Sequence, residues 1–428
     1  MARMAATEAM EEAAIHPRFK RFVPASVLLS AWWVLIAALI AWAIQTRRAD
    51  LLDQNGDEAS LRKASRIEPL NAEHVHTLGR YALFQGQDAD EAISNYRRAV
   101  TLNPHISRYW LDLAGAYQVK GDVALQQSAV ERALAAYPTN PDVAWEAANF
   151  SILSGDVTKA LQHFRTVMTH DPASTDRALE LCWKVSGDVD AILSEAVPSD
   201  AGSYFQFLDF LTDRDEPEAA QRVWLRLQEL KQSAPAQLAL PYIQFLMDRG
   251  SISEAWGAWK QLAQLDPAFG HRMTPENLMV NGGFDDQILN GGFDWRVQPK
   301  PAARLALDEF TFHSGRRSLL IAFNGLPVDD VGIEQRMAVQ PHTDYELSAF
   351  VRAEDIESRS GPRLAITNAE GALLAWTDDS LGTVNWQQES LRVNSGNARL
   401  LYFRVLRQAG DSPIKGRFWI DDLQLVAR

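Results

Sequence analysis

Side chains able to do chemistry are few in this sequence, and their spacing argues against catalysis. Cys182 is the only cysteine. It falls inside a helical stretch and reads as a small core residue rather than a nucleophile, and it rules out an intrachain disulfide while leaving the compartment undecided. His74 and His76 lie two apart on a helix and face different directions, which argues against a metal pair. The carboxylate pairs Asp329-Asp330 and Asp378-Asp379 fall in expected loops, where adjacent acids are solvated or bind calcium. There is no phosphate-cradling glycine loop followed by Lys-Ser/Thr, no His-Glu-x-x-His, no Cys-x-x-Cys and no Gly-x-Ser-x-Gly elbow. The expectation is a protein that is not an enzyme and requires no cofactor.

What must position the remaining polar and aromatic residues is a set of larger elements. The chain has 428 residues, enough for two or three domains, with 46% hydrophobic and 23% charged residues. Its formal net charge of −13 repels phosphate backbones, so nucleic acid is not an expected partner. From Val23 to Ile44 no residue is charged. A helix of that length crosses a hydrocarbon core of roughly 30 Å. Trp32, Trp33 and Trp42 add aromatic weight, and Arg18, Lys20 and Arg21 upstream outnumber Arg47 and Arg48 downstream. That bias predicts a cytoplasmic tail at 1–22, a transmembrane signal anchor at 23–45, and translocation of the rest. A cleaved signal peptide is the rival, since Ala41-Trp42-Ala43 satisfies the small-x-small rule. The apolar stretch is wider than such peptides have, which favours the anchor and, for the localisation, a bacterial inner membrane with the bulk of the chain periplasmic.

A regular beat follows. Pro104, Pro138 and Pro172 stand at intervals of 34, each closing a helical run, and Gly121 and Gly155 keep the same interval, each followed by Asp. Such a period marks stacked helical hairpins, which bury their apolar faces on one another and form a solenoid with a long concave surface. One unit carries Trp110, Leu113, Ala114, Tyr117, Gly121-Asp122, Ala133 and Pro138; its neighbours carry Leu78, Gly79, Tyr96, Ala99 and Pro104, and Ala147, Ala148, Gly155-Asp156, Ala160, Phe164 and Pro172. These units resemble tetratricopeptide repeats. Residues 50 to 69 read as a half-unit ending at Pro69, and weaker units extend the array to about 270. In that family the first helix of each hairpin lines the groove. The spacing then directs His76, Arg80, Phe84, Arg108, Gln118, Trp145, Asn149 and Phe205 to a surface for protein partners. Trp145 is either a peptide anchor there or a packing residue between helices.

At about Pro275 helical periodicity stops. Short alternating runs begin, among them Ala303–Leu307, Arg317–Phe323, Gly332–Val339, Asp344–Arg352, Arg363–Thr367, Gln387–Val393, Ala398–Leu406 and Arg417–Val426. Eight or so strands predict an antiparallel β-sandwich or jelly roll over 275–428. Asn281-Gly282-Gly283-Phe284-Asp285, Ser314-Gly315, Trp386 and Trp419-Ile420-Asp421-Asp422 resemble the galactose-binding-like jelly roll of carbohydrate-binding modules of families four, nine and twenty-two. The Asn-Gly-Gly-Phe-Asp motif is duplicated at 290–294, a departure from the usual single copy. The resemblance implies a structural calcium held by Asp285 and Asp421, for which capping of turns is the plain alternative. It also implies sugar stacking on an exposed aromatic, for which Trp376 is the candidate, while Trp295, Trp386 and Trp419 are expected in the core.

The whole reads as a multidomain α + β chain: membrane helix, α-solenoid at 50–270, and β-sandwich. Its expected role is a non-catalytic anchored scaffold contacting protein and polysaccharide, suited to exopolysaccharide assembly. The alternative is a general envelope assembly or secretion factor whose sandwich makes protein contacts alone.

Overall fold

The computed structural model describes residues 25–410 and 412–428, with side chains described from Leu29. The tail expected at 1–22 lies outside the described residues. The backbone falls into two compact units, one ending at Ala147 and one beginning at Ala148.

The first unit opens with α1 (Ala25–Asn55), whose segment from Leu29 on is long and apolar enough to cross a membrane, as an anchor or a signal sequence. Then come α2 (Glu58–Ile67), α3 (Ala72–Phe84), α4 (Ala89–Leu102), α5 (Ser107–Lys120) and α6 (Val123–Ala136). The next helix, α7 (Pro141–Leu153), contains the boundary. Helices α3 with α4, and α5 with α6, pair as hairpins. The Gly-Asp turns work as a two-residue device. Gly121 ends α5 with φ of 76°, which costs a side-chain-bearing residue energy, and Asp122 then caps α6 by accepting the Leu125 amide at 3.1 Å. Gly155 and Asp156 repeat it one period later, with the Lys159 amide as donor. Between α3 and α4, Gly79 leaves room for the Tyr96 ring, which would lie 2.8 Å from a Cβ placed there.

The second unit continues with α8 (Val157–His170), α9 (Thr175–Ser186), the short α10 (Val189–Glu195), α11 (Ala201–Asp213), α12 (Pro217–Glu229), α13 (Leu240–Asp248) and α14 (Ile252–Leu265). Here the beat appears as ion pairs between equivalent positions of successive units, Glu180 with Arg214 and Asp215 with Arg249. Cys182 is buried, and burial pushes its thiol up to about 12, so the group is inert at neutral pH.

Two five-stranded antiparallel sheets follow. The strands are β1 (Arg296–Val297), β2 (Ala303–Asp308), β3 (Ser318–Pro327), β4 (Asp330–Ala338), β5 (Asp344–Glu357), β6 (Arg363–Thr367), β7 (Leu373–Trp376), β8 (Gly382–Asn394), β9 (Leu400–Leu406) and β10 (Pro413–Ala427). One sheet runs β1-β4-β9-β6-β7 and the other β2-β3-β10-β5-β8. Their alternating inward residues, including Ile333, Met337, Leu347, Val351, Phe403 and Phe418, make one core. Short β1 and β7 were not among the expected strands.

The duplicated motif has two jobs. In the first copy, Gly282 lies against the backbone of Leu423 in β10, and buried Phe284 stacks on Trp295 at 4.7 Å. In the second copy, Gly292 at φ 57° presses on the Trp259 ring of α14. Phe293 meets Trp256 and Trp259 edge to face, at 5.0 and 5.9 Å. Buried Asp294 pairs with Arg272 at 3.0 Å. One copy thus closes the sandwich and the other seats it on the last helical hairpin.

Candidate binding surfaces

Trp376 ends β7, the edge strand of its sheet, and is 52% exposed. Edge placement explains the exposure, because no further strand covers that side. The Arg363 guanidinium lies 5.8 Å from the ring centroid and is itself held by Asp379. A cavity of about 400 Å³ opens beside the ring, floored by Ala365, Leu373 and Leu406 and rimmed by Arg363, Arg407 and Gln408. Arg407 is 5% exposed and donates to the carbonyls of Val328, Ser360 and Ser412 and to the Ser358 hydroxyl, so it ties its own loop after β9 to the turns after β3 and β5. Burial without an acid in direct contact holds its pKa below the usual guanidinium range. The arrangement sets a flat, half-exposed ring beside a guanidinium held in place by Asp379.

A second aromatic patch lies on the other sheet, and sequence reasoning did not single it out. His313 stacks on Phe350 at 3.6 Å and meets Trp386 edge-on at 5.8 Å. Phe350 and Trp386 are half-buried, so Trp386 is not the core residue expected. The signal was present: in the alternation of β5, Phe350 is the one aromatic on the face shared with Glu346, Ser348 and Arg352. Trp295 and Trp419 are buried as expected. Trp419 donates its indole N–H to Asp308 and lies beneath Arg352 and Arg417.

Asp285 and Asp421 come together around residues 313–316. Asp285 accepts the Arg316 amide at 2.6 Å, and Asp421 accepts those of His313 and Ser314 at 2.7 and 3.1 Å. Asp422 adds bonds to the His313 ring and the Ser314 hydroxyl. Oxygens of all three acids lie 3.8–3.9 Å from where a side chain on Gly283 would begin, a cradle of hard donors that a Cβ would fill. Burial pushes the Asp421 carboxyl up to about 6.

The eight residues assigned to the helical groove divide. On α3 and α5, Arg80, Phe84, Arg108 and Gln118 are exposed, Phe84 at 68%. His76 corrects the expectation: it is fully buried, wedged 5.4 and 4.5 Å from the rings of Tyr96 and Tyr109 and bonded to Asp112 at 2.6 Å. The close approach at Gly79 brings Tyr96 over it. Phe205 corrects it again at 2% exposure. With Tyr204, Phe207, Leu208, Phe210 and Leu211 also buried, the solvent-facing stripe of α11 narrows to Gly202, Gln206 and Asp213, and Phe205 lies outside it. Trp145 and Asn149 on α7 are half-buried.

No protein-family model and no curated protein matches the chain. Solved structures do. A tetratricopeptide repeat protein from Parabacteroides merdae ATCC 43184 is similar over 52% of this chain and 93% of its own, at 18% identity and a TM-score of 0.31. A family 4 carbohydrate-binding module is similar over 35% of this chain and 99% of its own, at 13% identity and a TM-score of 0.28. A family 61 module in complex with β-1,4-galactotriose is similar over 36% and 99%, at 16% identity and a TM-score of 0.27.

Proposed function

We propose that the chain is a non-catalytic scaffold, anchored in a bacterial inner membrane by α1, that contacts polysaccharide through its sandwich and protein through its helices. The observation that carries this reading is Trp376: a large, half-exposed ring beside a cavity whose polar rim is rigidly held. An exposed edge tryptophan with a fixed arginine beside it suits the apolar face of a pyranose, with Arg363 and Gln408 placed for hydroxyls. Arg80, Phe84, Arg108 and Gln118 supply a mixed apolar and basic surface on α3 and α5 for a protein partner. The combination suits exopolysaccharide assembly, where polymer and machinery are kept together at the membrane. Calcium bound by Asp285 and Asp421 would fix the loop at 313–316; adding a chelator is then expected to lower the melting temperature of the sandwich, and an unchanged melting curve removes the ion from the proposal.

The test uses the full chain in detergent against a panel of polysaccharides. Binding to at least one polymer is expected, weakened tenfold or more by Trp376→Ala, a loss of about 1.4 kcal/mol. Unaltered binding by that variant moves the site elsewhere, with Phe350 and Trp386 the next surface to change. Silence of the folded chain across the panel leaves the protein-only assembly factor as the reading.

A further inference from the structure

The first unit holds a polar cluster that none of these roles uses. Asp50 lies on α1 beyond its apolar stretch, Glu68 in the turn after α2, and His74 in the first turn of α3. One donor atom from each lies within 4.8 Å of the others, the one such set of three among the described residues. His74 is 3% exposed and directs Nε2 at both acids, 3.2 Å from Glu68 Oε2 and 3.9 Å from Asp50 Oδ1. We propose that these three residues bind a divalent zinc-type ion that fastens the membrane-proximal helix to the first repeat.

Three physical points support the assignment. Ligand atoms around a tetrahedral zinc, at bonds of about 2.0–2.2 Å, stand about 3.4 Å apart, and the observed separations bracket that value. The set of one imidazole nitrogen and two carboxylate oxygens is one that zinc and its neighbours accept, and it leaves a position for water. The third point comes from the far side of the ring. His74 Nδ1 and Asp53 Oδ1 face each other at 3.3 Å, yet both are buried without a hydrogen bond. A metal on Nε2 forces the ring proton onto Nδ1, where Asp53 is placed to receive it, as carboxylates behind metal-bound histidines do. Charge points the same way. Asp50, Asp53 and Glu68 surround one imidazole, and a single proton there cannot balance three carboxylates, whereas a dication goes further. Asn71 Nδ2 also donates to Glu68 Oε2 at 2.9 Å, which leaves that oxygen a second lone pair and fixes its orientation. All four residues lie downstream of Ala43, so removal of the apolar stretch would spare the site.

The experiment takes the full chain in detergent, strips it with a chelator, and titrates it with Zn²⁺ alone. Bound metal is counted by elemental analysis, and Co²⁺ substitution reports the ligand field by its visible absorption. One zinc per chain is expected, with affinity falling tenfold or more in Asp50→Asn and in Glu68→Gln. Asp53→Asn, which keeps every ligand, is expected to weaken binding by about 10–100-fold. Asp50 is 44% exposed at its side chain, so its variant should melt like the metal-free parent and show that lost binding is not lost folding. Folded parent protein that takes up no zinc at 100-fold molar excess overturns the proposal, as does uptake undiminished in both ligand variants.

Discussion

Asp209 shows how one half-buried acid sets a pH response. Its Oδ1 is buried without a hydrogen-bond partner, and burial first, then Asp213 and Asp176, push its pKa up to about 6 from 3.8. The folded state therefore holds a proton that the unfolded state releases between those values. Stability falls as pH rises through that window and is regained on acidification. Asp209→Asn removes the charge at constant shape, and is expected to raise stability at pH 7 by about 1 kcal/mol once solvent screening is allowed for. Urea melts of parent and variant at pH 7 and pH 5 check it: the gap should narrow at the lower pH, and an equal gap at both overturns the titration argument.

At the scale of elements, turns and close approaches carry the architecture. The Asp156 cap on α8 satisfies an amide that otherwise lacks a partner, so Asp156→Ala should cost about 1 kcal/mol in denaturant unfolding. Gly292 is held more severely. An added Cβ would lie 2.2 Å from Trp259 Cζ3, at a φ of 57°. Gly292→Ala is expected to cost more than the cap deletion, on the order of 3 kcal/mol, because backbone strain and overpacking act together. A smaller loss than that of Asp156→Ala would mean that α14 shifts to accommodate it.

For the whole molecule, the seating of the second Asn-Gly-Gly-Phe-Asp copy gives the helical array its end cap. Terminal repeats need a polar outer face or a cover. Here Phe293 covers Trp256 and Trp259, which α14 alone would expose. Residues 50–270 expressed without the sandwich should self-associate in light scattering, and adding 271–296 back should not rescue them fully, since Trp295 and Phe284 need the sandwich core. A monomeric, cooperatively melting 50–270 fragment would show that the array caps itself.

Local pattern determined much of this protein. The 34-residue beat, the Gly-Asp turns and the change to alternating strands are visible in the sequence because hydrophobic period and turn chemistry depend on neighbours along the chain. Trp376 was legible as an aromatic just ahead of Thr377-Asp378-Asp379, though not as the end of an edge strand. What residues far apart do to one another was decided by tertiary structure alone. The spacing directs His76 and Phe205 to the groove, yet Tyr96 and Tyr109 enclose the first, and the second falls outside the narrow polar stripe of α11. Asp50, Glu68 and His74 meet across three segments whose approach no periodicity encodes. Burial and charge are fixed by what packs opposite a side chain, and that partner lies outside any local window.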